Sequence, residues 1–326
     1  MTEKLLEVKN LTKYFPVSKG IFGKAEEWLR AVHNVSFVLY SGETLGLVGE
    51  SGCGKSTTRK LLLRLIEPDA GEVYYRNQGE EINVLQLSPQ SLRNLRKKIQ
   101  VVFQDPYASL DPKWRVGDII GEPLRIHKMG DREQQCKKVK ELMELVGLRP
   151  EYYYRYPHEF SGGQRQRIGI ARALALEPEL IVADEPVSAL DVSIQAQVIN
   201  MFKDLQSTFG LTYIFIAHDL GVVKHICYRV GVMYLGKIVE LAPTDELFSN
   251  AKHPYTKGLL SSIPIPDPGK KQKLKLLKGE VPSPINPPKG CSFHSRCPNA
   301  KDICREQDPP LVELNNGHEV SCHLYT

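Results

Sequence analysis

Short apolar runs alternate along this chain with segments whose apolar residues recur at helical spacing. Residues 44–49 (TLGLVG) form an apolar run ending in glycine, and residues 55–66 (KSTTRKLLLRLI) then show a helical pattern that Pro68 stops. A buried strand followed by a glycine-rich turn and a helix is typical of parallel sheets. We therefore predict a strand–turn–helix unit over residues 44–66.

The same alternation continues towards residue 217. Residues 132–146 repeat apolar side chains at helical spacing and are followed by Gly147, which predicts an amphipathic helix with a glycine stop. Residues 72–102 predict short strands with polar turns, then a basic helix and a further strand. More buried strands and a helix are predicted at residues 180–183, 193–209 and 211–217. Together these segments predict an α/β fold.

The composition of the chain changes near residue 250. Residues 264–290 contain many prolines, and the lysine-rich segment KKQKLKLLK lies among them at 270–278. We interpret this region as a linker or an extended, irregular element, with its lysines solvated rather than held against anionic lipid. We therefore expect one large domain over residues 1–250, with a more helical block at about 105–178, and a C-terminal extension over 251–326.

Length and composition fit a globular protein and exclude other classes. The chain has 326 residues, of which 41% are hydrophobic and 25% charged, so it has enough apolar side chains for a packed core. Its net charge of +5 is too small to indicate nucleic-acid binding. No apolar run is long enough to span a bilayer, and the first residues, MTEKLLEVKN, lack the apolar stretch of a signal peptide. These features exclude an integral membrane protein and argue against export, but they allow docking onto a membrane complex.

The strongest chemical motif is GESGCGKST, which matches the phosphate-binding pattern GxxxxGK[ST]. Its glycines allow a tight turn whose backbone N–H groups point at phosphate oxygens, and the following helix adds its positive dipole end. Lys55 is expected to reach the β- and γ-phosphates, and the Ser56 hydroxyl to bind Mg²⁺. Cys53 is expected to be a small side chain tolerated in the loop, without chemistry of its own. The predicted nucleotide-binding residues are Gly49, Ser51, Gly52, Cys53, Gly54, Lys55, Ser56 and Thr57.

A pair of carboxylates ends the strand predicted at residues 180–183, in the sequence LIVADEP. Ligands of parallel sheets bind at the carboxyl ends of the strands, which is where Asp184 falls. We expect Asp184 to hold Mg²⁺, directly or through water. Glu185 is then placed to orient or deprotonate an attacking water.

A second anion-binding element is predicted in FSGGQRQR, at residues 160–167. Ser161 is a suitable helix N-cap, and Gly162 and Gly163 leave backbone N–H groups accessible at the start of that helix. An ordinary capped helix would show the same local pattern. The chain thus carries two candidate phosphate-binding elements that are far apart in sequence.

Five motifs, in order, are similar to those of ABC transporter ATPase subunits: GESGCGKST, FSGGQ, LIVADEP, SALD and IAHD. The resemblance covers roughly residues 5–250, and Phe160 departs from it because leucine is commoner at that position. It implies a P-loop NTPase core in which a parallel sheet is combined with an antiparallel β subdomain and a helical subdomain. The small cysteine-rich extension follows this core. The resemblance also implies ATP and Mg²⁺ as cofactors.

The resemblance assigns roles within the ATP site. It implies that the catalytic residues are Glu185, His218 and Gln104, with His218 at the γ-phosphate. It implies that Mg²⁺ is bound by Ser56, Gln104 and Asp184, and that Gln104 also faces the membrane subunits.

The resemblance also places residues at the adenine and at a partner subunit. Phe15 aligns best with the aromatic residue that stacks on adenine, and its neighbour Tyr14 is the alternative. The residues implied to complete the ATP site of a partner subunit are Ser161, Gly162, Gly163, Gln164 and, at the same interface, Asp191.

Four finer segments resemble the ATPase subunits of oligopeptide and dipeptide importers: FQDPYASLDP, DEPVSALDVS, HPYTKGLL and GCSFHSRCP. This resemblance implies a subunit that hydrolyses ATP to power peptide import. The implied partners are a paralogous ATPase subunit in a heterodimer (or a second copy in a homodimer), two membrane-spanning permease subunits and an extracytoplasmic peptide-binding protein, with no nucleic acid. The chain is then expected at the cytoplasmic face of the cell membrane.

Three alternatives stay open at the level of sequence. Close relatives of this subgroup import nickel, so nickel or another small solute is an alternative cargo. A non-transport ABC ATPase would be expected to carry a long coiled-coil insertion or a second phosphate loop, and the sequence has neither. A redox-sensing regulator that binds ATP is disfavoured because Glu185 and His218 are intact.

Four of the seven cysteines are clustered near the end of the chain, with the spacing C-x5-C-x6-C-x17-C. Four thiolates suit either Zn²⁺ or a [4Fe–4S] cluster, and this spacing does not choose between them. The resemblance favours the cluster, because similar tails of peptide-importer ATPases bind one. Its role is then structural or redox-regulatory, since ATP hydrolysis transfers no electron. The predicted ligands are Cys291, Cys297, Cys304 and Cys322, with His294, His318 and His323 as possible competitors.

Overall fold

The computed structural model describes residues 3–19, 25–77, 79–263, 277, 279–315 and 317–326. The lysine-rich segment that the sequence predicts as a linker, 270–278, lies outside the described residues except for Leu277. The chain divides into two compact units. The first comprises residues 1–40, 44–86 and 217–326, and the second comprises residues 41–43 and 87–216.

The described residues contain twelve strands, which we number in chain order. They are β1 (Lys4–Lys19), β2 (Ala25–Tyr40), β3 (Thr44–Val48), β4 (Ala70–Asn77), β5 (Glu80–Asn83), β6 (Ile99–Val102), β7 (Leu180–Asp184), β8 (Thr212–Ala217), β9 (Arg229–Tyr234), β10 (Lys237–Pro243), β11 (Leu311–Glu313) and β12 (Glu319–Ser321).

Ten α-helices are also found in the described part of the chain. They are α1 (Lys55–Leu62), α2 (Pro89–Lys98), α3 (Val116–Ile126), α4 (Arg132–Leu145), α5 (Gly162–Leu174), α6 (Val192–Phe209), α7 (Leu220–Ile226), α8 (Thr244–Asn250), α9 (Pro254–Ser261) and α10 (Ile303–Glu306). None of these described helices is long and apolar enough to cross a membrane.

The first unit contains an antiparallel sheet and a set of strands around β3. The antiparallel sheet has the order β2-β1-β4-β5. The other strands run in the order β11-β12-β10-β9-β3, with β3 parallel to β9 and the remaining pairs antiparallel. Every residue of β3 is buried, which explains why its sequence is a continuous apolar run rather than an alternating one.

The second unit contains three parallel strands and the helical block. The strands run in the order β8-β7-β6, and β7 and β8 are buried at every residue. Helices α3, α4 and α5 lie between β6 and β7 in the chain, and α4 buries Val139, Leu142 and Met143 on one face. This is the face that the sequence pattern predicts.

The structure confirms the predicted α/β fold and most of the predicted segments, with one helix end as the exception. The helix predicted over 55–66 ends at Leu62, before the predicted Pro68 stop. Arg64 adopts a left-handed conformation with φ 48°, and Leu65 N–H donates to the Lys60 carbonyl at 2.8 Å. This left-handed residue and this hydrogen bond are those of a Schellman motif, which usually has glycine at the left-handed position. Because Arg64 takes that position here, the sequence does not reveal where the helix ends.

The C-terminal extension joins the first unit through strand pairing and a buried carboxylate. Strand β12 pairs with β10, which places Val320 opposite Glu240. The fully buried Glu240 accepts the backbone N–H of His253 at 3.0 Å and lies 2.7 Å from His318 Nε2. Burial lowers the pKa of His253 to about 4, so this imidazole is neutral. The extension is therefore packed onto the unit that carries β3 and α1.

Candidate functional site

The loop between β3 and α1 has a backbone that only glycine can supply at two positions. Gly49 has φ 152° and Gly54 has φ 110°. A Cβ on Gly49 would lie 2.2 Å from the Met233 carbonyl oxygen, and one on Gly54 would lie 2.4 Å from the Ala31 carbonyl oxygen. The predicted tight turn is thus packed against backbone, where no side chain fits.

Lys55 lies inside this loop with its ammonium group held by loop carbonyls. Its side chain is buried, and Nζ donates to the carbonyl oxygens of Gly49 at 2.7 Å and Glu50 at 3.2 Å. Cys53 Sγ is 3.6 Å from Nζ, and burial raises the pKa of the Cys53 thiol. The remaining predicted residues of the loop differ in exposure: Ser51, Gly52 and Ser56 are exposed, and Thr57 is half-buried. A lysine and a helix start are thus combined in one anion-binding turn.

The two carboxylates at the end of β7 have different environments. Asp184 has a buried side chain. The next residue, Glu185, has a left-handed backbone conformation with φ 44°. Gln104 Nε2 donates to Glu185 Oε2 at 2.9 Å. The structure therefore brings together two of the three residues predicted as catalytic. A non-glycine residue at positive φ is strained and is often found at functional sites.

The predicted second anion-binding element is a capped helix start. Ser161 Oγ accepts Gln164 N–H at 3.4 Å, and Gln164 Oε1 accepts Ser161 N–H at 3.0 Å, which is a capping box. Gly163 is buried against Ile194 of α6, and the Asp191 carboxylate caps that helix by accepting Ile194 N–H at 3.0 Å. Gly162 has more space, because its nearest neighbour for a Cβ is Leu190 at 3.5 Å.

The two aromatic candidates for adenine stacking lie on opposite faces of β1. Tyr14 is paired with Arg30 in the strand register and Phe15 with Leu29, and successive side chains of a strand alternate. Tyr14 Oη is 2.5 Å from His33 Nδ1 and lines a cavity of about 400 Å³ beside the C-terminal extension. Burial lowers the pKa of His33 to about 4, so its ring is neutral at pH 7. Only one of the two aromatics can therefore face a base, and stacking by Phe15 stays a prediction.

His218 directly follows β8 and is exposed. Its predicted role at the γ-phosphate stays a prediction. The next residue, Asp219, caps α7 by accepting Gly221 N–H at 2.7 Å.

Backbone amides surround the four cysteines of the extension. Cys304 Sγ accepts Lys301 N–H at 3.4 Å, and the other three sulfurs accept N–H groups of Phe293, Asn299 and Leu324. Burial raises the pKa of Cys291 to about 11, and the other three thiols add to this effect through their charge. Within the residues that the structure describes, no group of three or more His, Cys, Asp or Glu side chains is arranged to hold a metal ion.

The three nearby histidines have other hydrogen-bond partners. His294 Nδ1 is 2.9 Å from the Cys291 carbonyl oxygen, and His323 Nε2 is 2.9 Å from the Gln307 carbonyl oxygen. His318 is engaged by Glu240, as described above.

Sequence reasoning missed two residues that contact the phosphate loop at Glu50. Arg296 donates to both carboxylate oxygens of Glu50, and Tyr255 Oη accepts Glu50 N–H at 3.0 Å. Arg296 and Glu50 are 246 residues apart, so no local spacing reveals the pair.

These features define the class of protein. A phosphate-binding loop with its lysine and a carboxylate pair at the end of a parallel strand are the parts of a nucleoside-triphosphate hydrolase. The comparisons with known proteins agree with this class and narrow it. Residues 32–188 match the family described as ABC transporter, and residues 239–304 match the oligopeptide/dipeptide transporter, C-terminal region.

Curated relatives match over nearly the whole chain. The oligopeptide transport ATP-binding protein AppF of Bacillus subtilis is 55% identical, over 99% of this chain and 98% of that protein. The dipeptide transport ATP-binding protein DppF of Haemophilus influenzae is 52% identical, over 98% and 96%. Among solved structures, the dimeric post-hydrolysis state of the ATP-binding cassette MJ0796, bound to ADP and Pi, matches with a TM-score of 0.65 and 30% identity, over 74% of this chain and 99% of that chain.

The chain belongs to the ABC transporter family and is an ATPase with the ABC cassette fold. These comparisons confirm the family and the fold that the sequence motifs imply.

Proposed function

We propose that this chain hydrolyses ATP to power the import of dipeptides and oligopeptides by an ABC transporter. The proposal rests on what is observed for the C-terminal region. It matches the oligopeptide/dipeptide transporter region, and in the structure it is packed into the unit that holds the phosphate loop. The names of the relatives, which are oligopeptide and dipeptide transport ATP-binding proteins, support the same cargo over nickel.

In this proposal the phosphate loop binds the triphosphate. Lys55 exchanges the carbonyl oxygens of Gly49 and Glu50 for β- and γ-phosphate oxygens, and loop N–H groups donate to the same phosphates. Phe15 stacks on the adenine. Mg²⁺, when bound by Ser56, Asp184 and Gln104, neutralises charge on the phosphate oxygens.

The same proposal gives Glu185 the role of general base. Its carboxylate accepts a proton from water while the water oxygen bonds to the γ-phosphorus and the bond to the β–γ bridging oxygen breaks, which releases ADP. The hydrogen bond from Gln104 orients this carboxylate. His218 donates a hydrogen bond to the γ-phosphate.

The proposed partners follow from the family and from the exposed helix start of α5. Ser161, Gly162, Gly163 and Gln164, with Asp191, complete the ATP site of a second ATPase subunit, a paralogue or a second copy. The dimeric structure of the cassette MJ0796 supports such a pairing. Two permease subunits and a peptide-binding protein complete the transporter, which places this chain at the cytoplasmic face of the membrane.

The four cysteines are proposed to hold a [4Fe–4S] cluster, with zinc as the alternative. Backbone N–H groups donate to all four sulfurs, as they do for metal-bound thiolates, and the nearby histidines are engaged elsewhere.

Transport in proteoliposomes tests the proposed cargo. The chain is reconstituted with its partner ATPase, permease subunits and binding protein, and uptake of a labelled dipeptide, a labelled hexapeptide and ⁶³Ni²⁺ is measured with ATP inside. We expect ATP-dependent peptide uptake, which Lys55→Ala abolishes because the loop loses its phosphate-binding cation. Uptake of nickel without peptide would overturn the proposal.

A further inference from the structure

Two motifs that look independent in the sequence, GESGCGKST and GCSFHSRCP, are in contact through Glu50 of the phosphate-binding loop. Arg296 Nη1 donates to Glu50 Oε2 at 2.8 Å, and Nη2 donates to Oε1 at 3.2 Å. The Arg296 side chain is 6% exposed and that of Glu50 is 29% exposed. A bidentate pair of this kind is stronger and more specific than an exposed ion pair.

Every polar group of Glu50 has a partner. Its N–H donates to Tyr255 Oη at 3.0 Å, and its carbonyl oxygen accepts Lys55 Nζ and Cys53 N–H, both at 3.2 Å. Two of these partners, Arg296 and Tyr255, come from the segment beyond residue 250. The C-terminal extension therefore holds both the side chain and the backbone of this loop residue.

Arg296 is itself held in place by an aromatic cluster. The guanidinium carbon lies 5.8 Å from the Tyr234 ring and 6.0 Å from the Phe293 ring, and Tyr255 packs against both rings. These three aromatic residues are at most 1% exposed. Arg296 also lies in the short turn between Cys291 and Cys297, next to the cysteine site. The arginine is thus preorganised for Glu50 rather than drawn to it from solvent.

Charge explains why such a contact matters to a phosphate loop. Glu50 is the only acidic residue in GESGCGKST, and a carboxylate without its counter-ion would repel a bound triphosphate. The Arg296 guanidinium always carries its positive charge and therefore offsets the negative charge of the Glu50 carboxylate.

We propose that Arg296 is a positioning residue of the ATP site, through which the C-terminal extension neutralises Glu50 and fixes the phosphate loop. The proposal rests on the ATP site proposed above. It gives the extension a direct effect on nucleotide affinity, whatever the transported cargo.

Nucleotide affinity of the isolated full-length chain tests this. Titration calorimetry with ATP and Mg²⁺ is performed on the wild type, Arg296→Gln, Glu50→Gln and the double variant. We expect Arg296→Gln to raise Kd about tenfold, which corresponds to about 1.4 kcal/mol. Glu50→Gln in the same chain should restore Kd to within about threefold of the wild type, because no unpaired carboxylate is left. The defect of Arg296→Gln should also shrink with added salt.

Asp308→Asn is the matched control. It removes the Lys237–Asp308 pair, which also ties the extension to the rest of its unit but does not contact the loop, so Kd should be unchanged. An unchanged Kd in Arg296→Gln, a double variant that binds as weakly as Arg296→Gln, or an equal loss in Asp308→Asn would each overturn the proposal. If Arg296→Gln fails to fold, Arg296→Met, which also removes the positive charge, gives the same comparison with and without Glu50→Gln. Peptide uptake is not measured here, so this test and that of the cargo fail independently.

Discussion

At the scale of single residues, Glu185 combines strain with a defined partner. Its backbone is left-handed and its carboxylate accepts the Gln104 amide, two features that a lone Asp-Glu pair in a solvated loop would not require. We expect Glu185→Gln to slow ATP hydrolysis by about 10²–10⁴-fold while ATP still binds, because the amide keeps the shape and loses the base. Phosphate release and nucleotide binding are measured on the same preparation.

A matched glutamate lies at the other end of the same strand. Glu179 precedes β7 and forms a salt bridge with Lys98, so Glu179→Gln removes an equal charge without touching the proposed site. Its hydrolysis rate should stay within about twofold of the wild type. Normal turnover in Glu185→Gln, or an equal loss in both variants, would contradict the role of general base.

At the scale of secondary-structure elements, two glycines of α5 are expected to respond in opposite ways to substitution by alanine. One is limited by its packing against a neighbouring helix, and the other only by the low helix propensity of glycine. A Cβ at Gly163 would meet Ile194 Cγ2 at 2.5 Å, whereas one at Gly169 would have nothing within 4 Å. We expect Gly163→Ala to destabilise the chain by about 1–3 kcal/mol through overpacking. Gly169→Ala should stabilise it by about 0.5–1 kcal/mol, because alanine loses less backbone entropy in a helix. Urea denaturation followed by circular dichroism measures both, and equal midpoints for the two variants would show that α5 is not held against α6.

The same scale shows what the sequence can and cannot predict. Buried parallel strands such as β3 and β7 are continuous apolar runs, and α4 has a clear apolar face, so pattern alone locates them. The early end of α1 depends on a left-handed Arg64, where the sequence offers no glycine. Likewise, the contact of Glu50 with Arg296 depends on how distant segments pack, which no local periodicity encodes.

At the scale of the whole molecule, the C-terminal extension does three things within one unit. It adds a paired strand, it contacts the phosphate loop, and it carries the cysteine site. Strand β12 extends the set of strands that includes β3, and Arg296 reaches the loop that follows β3. The extension has short elements, since α10 and β11 comprise four and three residues. Elements this short have few apolar contacts of their own, so an additional crosslink would contribute much of their stability.

The cysteine site supplies that crosslink in our proposal, and metal analysis tests it. In chain purified without oxygen, we expect iron and acid-labile sulfide near four per chain, because four thiolates hold one [4Fe–4S] cluster. Cys297→Ser should lose both and lower the melting temperature. Cys136→Ser, on α4 in the other unit, should retain them. Zinc at about one per chain, or four titratable thiols without metal, would contradict the cluster.

Since burial raises the pKa of the Cys291 thiol to about 11, metal-free chain should react slowly with thiol reagents at neutral pH, which distinguishes an empty buried site from an unfolded extension.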